Sequence, residues 1–464
     1  MNLACTAPNL SEALLRRLDV PGPRYTSYPT ADRFAETFGA LHYQQALAQR
    51  AASGRREALS VYVHIPFCDQ VCYYCACNKV VTRHHERAGE YLQALHTELA
   101  LQLAVLGPEQ PLTQLHFGGG TPTFMSDAEL TALMALLRRS FSFQADAELS
   151  IEVDPRTVDA QRLAHLKLLG FNRLSFGVQD FDPDVQQAVH RIQPYEAVRT
   201  LMLEARRLGF ASINADLIYG LPRQTPQSFE RTIAQVASLK PDRIALYAYA
   251  HLPQRFKPQR RIESSDLPPA DDRVHMLGGA IAGFISRGYA HIGMDHFALH
   301  TDALAVAKRE GRLHRNFQGY STRPDCDLVA LGVSAIGKVG NTYSQNVKTL
   351  GPYYEALQQG RLPIERGLRL SADDLLRRDV IMALMCQGRV DFGAIERAHG
   401  ITLRDTFAIE LERLEALQAQ GLVDVDARGV QVTPTGWYFV RAVAMVFDRY
   451  LNASAQRERF SRIG

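Results

Sequence analysis

Between Tyr62 and Asn78 the chain reads YVHIPFCDQVCYYCACN, which sets Cys68, Cys72, Cys75 and Cys77 in one short loop after an apolar, β-branched run. The first three have C-x3-C-x2-C spacing, which brings their thiolates close enough to share a soft metal centre. Structural zinc sites usually pair a C-x2-C knuckle with a second, distant pair. No such pair exists here, because Cys5, Cys326 and Cys386 stand singly. Three clustered thiolates suit a [4Fe–4S] cluster in which one iron keeps an open coordination site. An open iron invites an exogenous ligand, and Gly118-Gly119-Gly120 offers a backbone that can approach a small molecule closely. An odd total of 7 cysteines does not suggest a disulfide framework. Cys386, within IMALMC, reads as core.

Short β-branched runs alternating with helical patterns position this loop. Strands are expected at residues 60–65, 114–117, 149–153, 173–177, 213–218 and 243–249, with helices such as EYLQALHTELALQLAVL, DAELTALMALLRRSF and YEAVRTLMLEARRLG between them. Six strand-then-helix units predict an α/β fold with a parallel sheet, open or barrel-like. The polar and Gly-rich signals follow the strands, as function at the C-terminal ends of barrel strands requires. The expected architecture is a partial (β/α)6 TIM-like barrel, with an arm over residues 1–55, a catalytic domain over 56–365 and a C-terminal domain over 366–464. Pro21 to Thr30 cannot form a regular helix and reads as an arm laid over the main domain. Residues 250–365 read as less regular. After about Ser371, helices, a hairpin-like VDVDARGVQV and a last helix from Pro434 to about Leu451 suggest a small, mainly helical, winged-helix-like domain.

With 46% hydrophobic and 22% charged residues the chain has the composition of a soluble globular protein. A formal net charge of +3 gives no reason to expect nucleic acid. The would-be recognition helix, IELERLEALQAQ, is glutamate-rich, which opposes phosphate contact; the domain reads instead as a cover over the barrel mouth. Leu3-Ala4-Cys5 lacks a preceding apolar segment, and the run Met276 to Ile285 is short of the roughly 20 residues a membrane helix needs. A cytoplasmic monomer without membrane contact is expected.

PRYTSYPT, YVHIPFC, CACNK, HFGGGTPT, IEVDPR, GVQDF, DLIYGLP, GMDHFA, HRNFQGY and the terminal FSRI together resemble the oxygen-independent coproporphyrinogen III oxidases (coproporphyrinogen dehydrogenases) of haem biosynthesis, within the radical S-adenosylmethionine (SAM) superfamily. A paralogous haem-trafficking group without oxidase activity has Asp-Phe after its third cysteine. Ala76-Cys77 here favours the oxidases, and the trafficking role is the alternative.

The resemblance implies that Cys68, Cys72 and Cys75 bind the cluster and that the open iron takes the amino and carboxylate groups of SAM. Cys77 belongs to the signature without being a ligand. Tyr62, the backbone at Tyr74 and Gly119, Glu152 and Ile336 would contact this SAM. A second SAM-sized site would be lined by Gly120, Thr121, Gln179, Arg191, Asp216 and Ala250. Reductive cleavage of SAM would give a 5′-deoxyadenosyl radical that removes a propionate β-hydrogen. Loss of CO2 and one further electron would leave a vinyl group, twice per protoporphyrinogen IX.

No side chain is assigned as catalytic. His64 shares a strand face with Tyr62 and reads either as a satisfied buried histidine or as a supporting contact group, and Cys77 reads as a supporting thiol. The substrate's four carboxylates call for arginines, with Arg24, Arg191 and the loop Arg255, Lys257, Arg260, Arg261 as candidates. That loop suits equally an acidic electron donor such as a flavodoxin. Glu152 and Asp216 could be helix-capping carboxylates instead of ligands. His84-His85 reads as solvated and His314 has a weak claim; Phe317 and Tyr320 could pack on a ring ligand or in the core.

Overall fold

A computed structural model describes Leu14, residues 21–54 and residues 57–451. Cys5, the Leu3-Ala4 before it and the terminal FSRI lie outside the described residues.

All six expected strands form, as β1 (Leu59–Ile65), β2 (Gln110–Gly119), β3 (Phe141–Val153), β4 (Arg173–Gln179), β5 (Ser212–Tyr219) and β6 (Arg243–Ala248). Each pairs in parallel with the next. Crossover helices Glu86–Leu106, Asp127–Ser140, Ala160–Leu168, Tyr195–Arg207 and Pro226–Leu239 separate them. Local sequence sets the helix ends. Ser126 and Glu129 form a capping box at Asp127–Ser140, with acids in its first turn and Arg138 and Arg139 in its last, complementing the helix dipole.

Strand alternation divides the sheet into two faces. Val61, Val63, Leu115, Phe117, Ile151, Phe176, Ala215 and Leu217 are buried in the main core, whereas Tyr62, His116, Ser150, Glu152, Ser175, Asn214 and Asp216 project to the other face and are half-buried. A closed barrel would fill that inner face with apolar side chains. This sheet does not close: its 12 strands run β12-β11-β10-β9-β1-β2-β3-β4-β5-β6-β8-β7. Here β7 is Tyr289–Gly293, β8 His296–Leu299, β9 Leu328–Leu331, β10 Ile336–Val339, β11 Thr342–Asn346 and β12 Ile364–Arg369. The open inner face is therefore a polar cleft.

The region 250–365 is more regular than its sequence suggests. It supplies β7 to β11, and β9 pairs in parallel with β1 on the side opposite β2. The arm also differs from a surface strap. Tyr25 and Tyr28 are fully buried in a second core with Ile292, Leu384, Cys386 and Val443, and the Tyr25 hydroxyl donates to Asp448 at 3.0 Å.

The C-terminal region has the winged-helix-like form, with helices Ala372–Gln387, Phe392–His399 and Ala408–Gln418 and a small sheet ordered Arg389–Asp391, Gly429–Val432, Val423–Val425. Its expected last helix is broken into a short turn, Gly436–Phe439, and a helix, Val440–Met445. The bulky run Trp437-Tyr438-Phe439-Val440 is a poor helix former, and Trp437 is turned to donate its indole N–H to the carbonyl of Ile292 at 3.0 Å. Tyr320 donates likewise to Met385 at 3.0 Å, so this domain docks beside β7 and β8. Among the described residues no helix is long and apolar enough to cross a membrane.

Candidate active site

The cysteine loop leaves β1 and is tied down on both sides. Phe67–Cys68 pairs with Val80–Val81, closing its neck. The Tyr73 N–H donates to Val189 O at 3.0 Å, and a His190 ring nitrogen meets Val71 O at 3.0 Å. Cys68 and Cys72 are buried, Cys75 is half-buried and Cys77 is exposed, all as free thiols. Each of the first three has its own support. Thr121 donates its hydroxyl to Cys68 Sγ at 3.3 Å. Arg156 and Arg191 each donate to Cys72 Sγ at 3.5 Å. Lys79 Nζ donates to Cys75 O at 3.0 Å.

Burial pushes the Cys68 thiol up to about 12. Cys75 lies below the ordinary thiol range, first because Cys77 hydrogen-bonds to it and then because Lys79 is near; Cys77 is pushed up in return. The arrangement favours a thiolate at Cys75, the form that binds metal.

In front of the loop, the inner face of β1 to β3 supplies a polar row. Tyr62 is opposite His116 in register, and their rings stack with centroids 5.8 Å apart. His116 contacts Ser150 Oγ at 2.6 Å and Glu152 Oε1 at 3.4 Å. The other Glu152 oxygen accepts the Gly119 N–H at 3.1 Å, and 43% of this side chain is exposed. The Tyr62 hydroxyl meets His64 Nδ1 at 3.1 Å, and His64 Nε2 meets Asn78 O at 3.0 Å. Both His64 nitrogens are thus engaged, and burial lowers its pKa.

The glycine triplet packs against the protein's own chain. A Cβ at Gly118 would sit 2.8 Å from Glu152 Oε1, at Gly119 2.8 Å from His64, and at Gly120 2.4 Å from Pro66 O. Gly119, at φ +123°, also occupies a backbone region that disfavours side chains.

Beyond β3, Asp216 accepts from Ser175 at 2.8 Å and Asn214 at 2.9 Å, and burial raises it to about 6. Gln179, at φ 65°, ends β4 two residues after Gly177, where a Cβ would meet Gln179 Nε2 and Arg191 Nη2, each at 2.9 Å. Arg191 is buried and bonds Cys72, Asp154 at 3.1 Å and Gly177 O at 2.7 Å, while its Nε is buried without a partner. Burial would raise Asp154, yet Arg191 and Arg156 hold it below the usual carboxylate range. Ala250 is exposed, and the half-buried Tyr74 side chain packs against the small core of Val185, Val189 and Leu221. Ile336 opens β10 and packs near Phe317 and Tyr343. Tyr320 is a core residue bearing Arg315 over its ring at 4.6 Å. His84 is exposed and pairs with Glu86, and His85 bonds Glu129 at 2.9 Å.

Among the described residues no three His, Cys, Asp or Glu side chains converge as one metal ion requires. Separate thiols on one loop, each beside a hydroxyl, guanidinium or ammonium group, fit the different irons of a cluster. Arg191 Nε, orphaned beside Cys72, leaves a donor for a polar ligand there.

The radical SAM superfamily profile matches residues 62–236, and that of the HemN C-terminal domain matches residues 370–439. The oxygen-independent coproporphyrinogen III oxidase of Escherichia coli is 49% identical over 97% of this chain and 98% of its own. That of Pseudomonas aeruginosa is likewise 49% identical, over 97% and 98%. The chain belongs to the oxygen-independent coproporphyrinogen III oxidase family. The solved structure of the Escherichia coli coproporphyrinogen III oxidase (HemN), a radical SAM enzyme, superposes with a TM-score of 0.90 at 47% identity, covering 96% of this chain and 100% of that one. As a radical SAM oxidase of this family, the protein uses a [4Fe–4S] cluster and SAM.

Several supporting groups escape sequence reading. His116 could have been found from its register, since it alternates onto the face of Tyr62. Arg156 sits in the DPR turn, where it reads as a local partner of Asp154. Arg315 and Arg441 carry no motif. Arg315 Nε donates to Arg24 O at 3.2 Å with Nη1 buried and unpartnered. Arg441 Nε donates to Pro23 O at 3.1 Å. Arg24 itself pairs with Asp295 and lies over the Tyr247 ring at 5.1 Å.

Proposed function

We propose that the protein converts two propionate side chains of coproporphyrinogen III to vinyl groups by anaerobic oxidative decarboxylation, giving protoporphyrinogen IX. The observation that carries this reading is the cysteine loop, ending in Ala76-Cys77, at the head of a polar cleft in a chain that matches these oxidases over 97% of its length.

When bound, the cluster and SAM supply the one-electron chemistry that removes a hydrogen from a propionate β-carbon. The protein's residues hold and orient the participants. Cys68, Cys72 and Cys75 ligate the cluster. Thr121, Arg156 and Arg191 donate to the sulfurs and stabilise their negative charge. Tyr62, Gly119, Glu152, Ile336 and the Tyr74 backbone hold the first SAM, with His116 fixing the Tyr62 ring and Glu152. Gly120, Thr121, Gln179, Arg191, Asp216 and Ala250 line a second SAM-sized site.

Arg24 pairs with Asp295, and Arg315 and Arg441 lie close enough to feel that carboxylate, a cluster of guanidinium groups of the kind that binds substrate carboxylates. Tyr247 links this cluster to the cleft: Arg24 lies over its ring at 5.1 Å, and Asp216 is near enough to raise its pKa. The same reading divides the chain into an arm (1–55), a catalytic domain (56–365) and a C-terminal domain (366–464). The enzyme acts as a cytoplasmic monomer, without nucleic acid or membrane, and takes electrons from a carrier such as a flavodoxin.

Anaerobically reconstituted protein given SAM, reductant and coproporphyrinogen III is expected to yield protoporphyrinogen IX, read by chromatography after oxidation to the porphyrin. An intact cluster with no product would overturn the reading, and stoichiometric haem binding in its place would favour a haem-trafficking role.

A further inference from the structure

The segment following β6 reads LPQRFKPQRRI from Leu252 to Ile262, with four cations, Arg255, Lys257, Arg260 and Arg261, and no anion. All four are exposed. Among the described residues none of them makes an ion pair: Arg255 lies over Phe256, Arg260 Nε donates to Pro253 O at 3.0 Å, and Arg261 lies over Tyr73. A charge run on a free loop would be a solvated face. This one is fixed to the cysteine loop. Gln259, 1% exposed, donates to Tyr74 O at 2.9 Å and Ala250 O at 3.1 Å, and accepts from Leu252 N–H at 2.6 Å. Tyr74 immediately precedes the ligand Cys75. Arg261 lies over the Tyr73 ring at 5.0 Å and donates to the Tyr73 hydroxyl at 3.3 Å, and that ring also stacks with His190 at 5.1 Å and 10°. An uncompensated basic surface is thereby held against the outer side of the loop that binds the cluster.

We propose that residues 252–262 are the docking face for a small acidic one-electron carrier protein that reduces the cluster. This rests on the radical SAM oxidase reading. One electron leaves the carrier, which is oxidised by one, and the cluster gains it; no atom or proton need cross the interface. Opposite charge on the carrier raises the encounter rate and orients the docked complex, and salt screens both effects.

The test uses the full-length, cluster-loaded protein and a purified flavodoxin as probe. Calorimetry at low and high ionic strength measures binding without turnover, and activity is driven in parallel by flavodoxin or by dithionite. Arg255→Glu/Lys257→Glu is expected to weaken flavodoxin binding by about tenfold or more, with a flatter salt dependence and a matching rise in KM for the carrier. The dithionite-driven rate and the KM for coproporphyrinogen III should stay at wild-type values. Arg260→Glu, at a separate position, should act in the same direction. The proposal is overturned if flavodoxin fails to bind the wild type, if binding is unchanged in both variants, or if the dithionite-driven reaction loses substrate affinity, which would assign the loop to substrate carboxylates. Absence of product from the wild type with dithionite would instead overturn the oxidase reading while leaving the binding result intact.

Discussion

Behind β1 and in front of it stand two carboxylates of opposite design. Glu98 is fully buried, and each of its oxygens receives two donors. Oε2 accepts from Gly332 N–H and the Tyr353 hydroxyl, each at 2.7 Å, and Oε1 from Asn346 at 2.6 Å and Gln102 at 3.5 Å. Glu152, in front, has among the described residues only the Gly119 N–H and His116 and keeps 43% of its side chain exposed. A carboxylate can accept about four hydrogen bonds. Glu98 spends all of its capacity on the fold, locking the Gly332 turn and β11 to helix Glu86–Leu106. Glu152 leaves about half of that capacity unspent, as the proposed contact to SAM requires. Where a buried polar group is fully answered by its own chain it builds structure; where it is left short at a strand end it marks a site.

The largest effect that could break this contrast is on stability. Glu98→Ala strands four buried donors and is expected to cost about 3–5 kcal/mol, read by chemical denaturation. Its pH dependence is the next test. Burial raises Glu98 from 4.5 to about 7, so the folded state holds the proton more tightly than the unfolded chain. Its contribution is full below about pH 4.5, declines as pH rises through that window and is lost above about pH 7, about 3 kcal/mol in all. The difference in stability between wild type and Glu98→Gln should therefore shrink or change sign as pH rises from 4.5 to 7; a difference that is flat in pH would contradict the assignment. Glu152→Gln should leave stability within about 0.5 kcal/mol, yet weaken SAM binding by about tenfold or more, the loss expected for a hydrogen bond to a charged group. Thr121→Val, removing one O–H donor to Cys68, should cost about 1 kcal/mol or less and appear chiefly as a shifted cluster potential.

The same contrast explains what the sequence disclosed. β1 to β6 were legible because period-two alternation and β-branched residues persist along each, and the cysteine loop because its chemistry is local in sequence. β9 was not: Leu-Val-Ala-Leu is buried at every position and carries no period. Glu98 reads as the polar side of an amphipathic helix, since Asn346 and Tyr353 lie 248 and 255 residues away. Gly118 to Gly120 read as a place of close approach to a ligand, and a second reason for three glycines, the crowding of Glu152, His64 and Pro66 against them, lies in residues distant in sequence. Arg191 reads as a candidate for substrate carboxylates and for the second SAM-sized site, but its bonds to Cys72, Asp154 and Gly177 are not legible, because those partners are set by the fold and not by neighbours in sequence.

The division of the cysteine loop into three ligands and one partner is tested most directly by iron and sulfide analysis with electron paramagnetic resonance, comparing Cys75→Ala with Cys77→Ala. Cys77→Ala is expected to retain the reconstituted cluster and the spectral change on adding SAM, whereas Cys75→Ala loses both. Loss of the cluster from Cys77→Ala, with Cys75→Ala still loaded, would contradict the account.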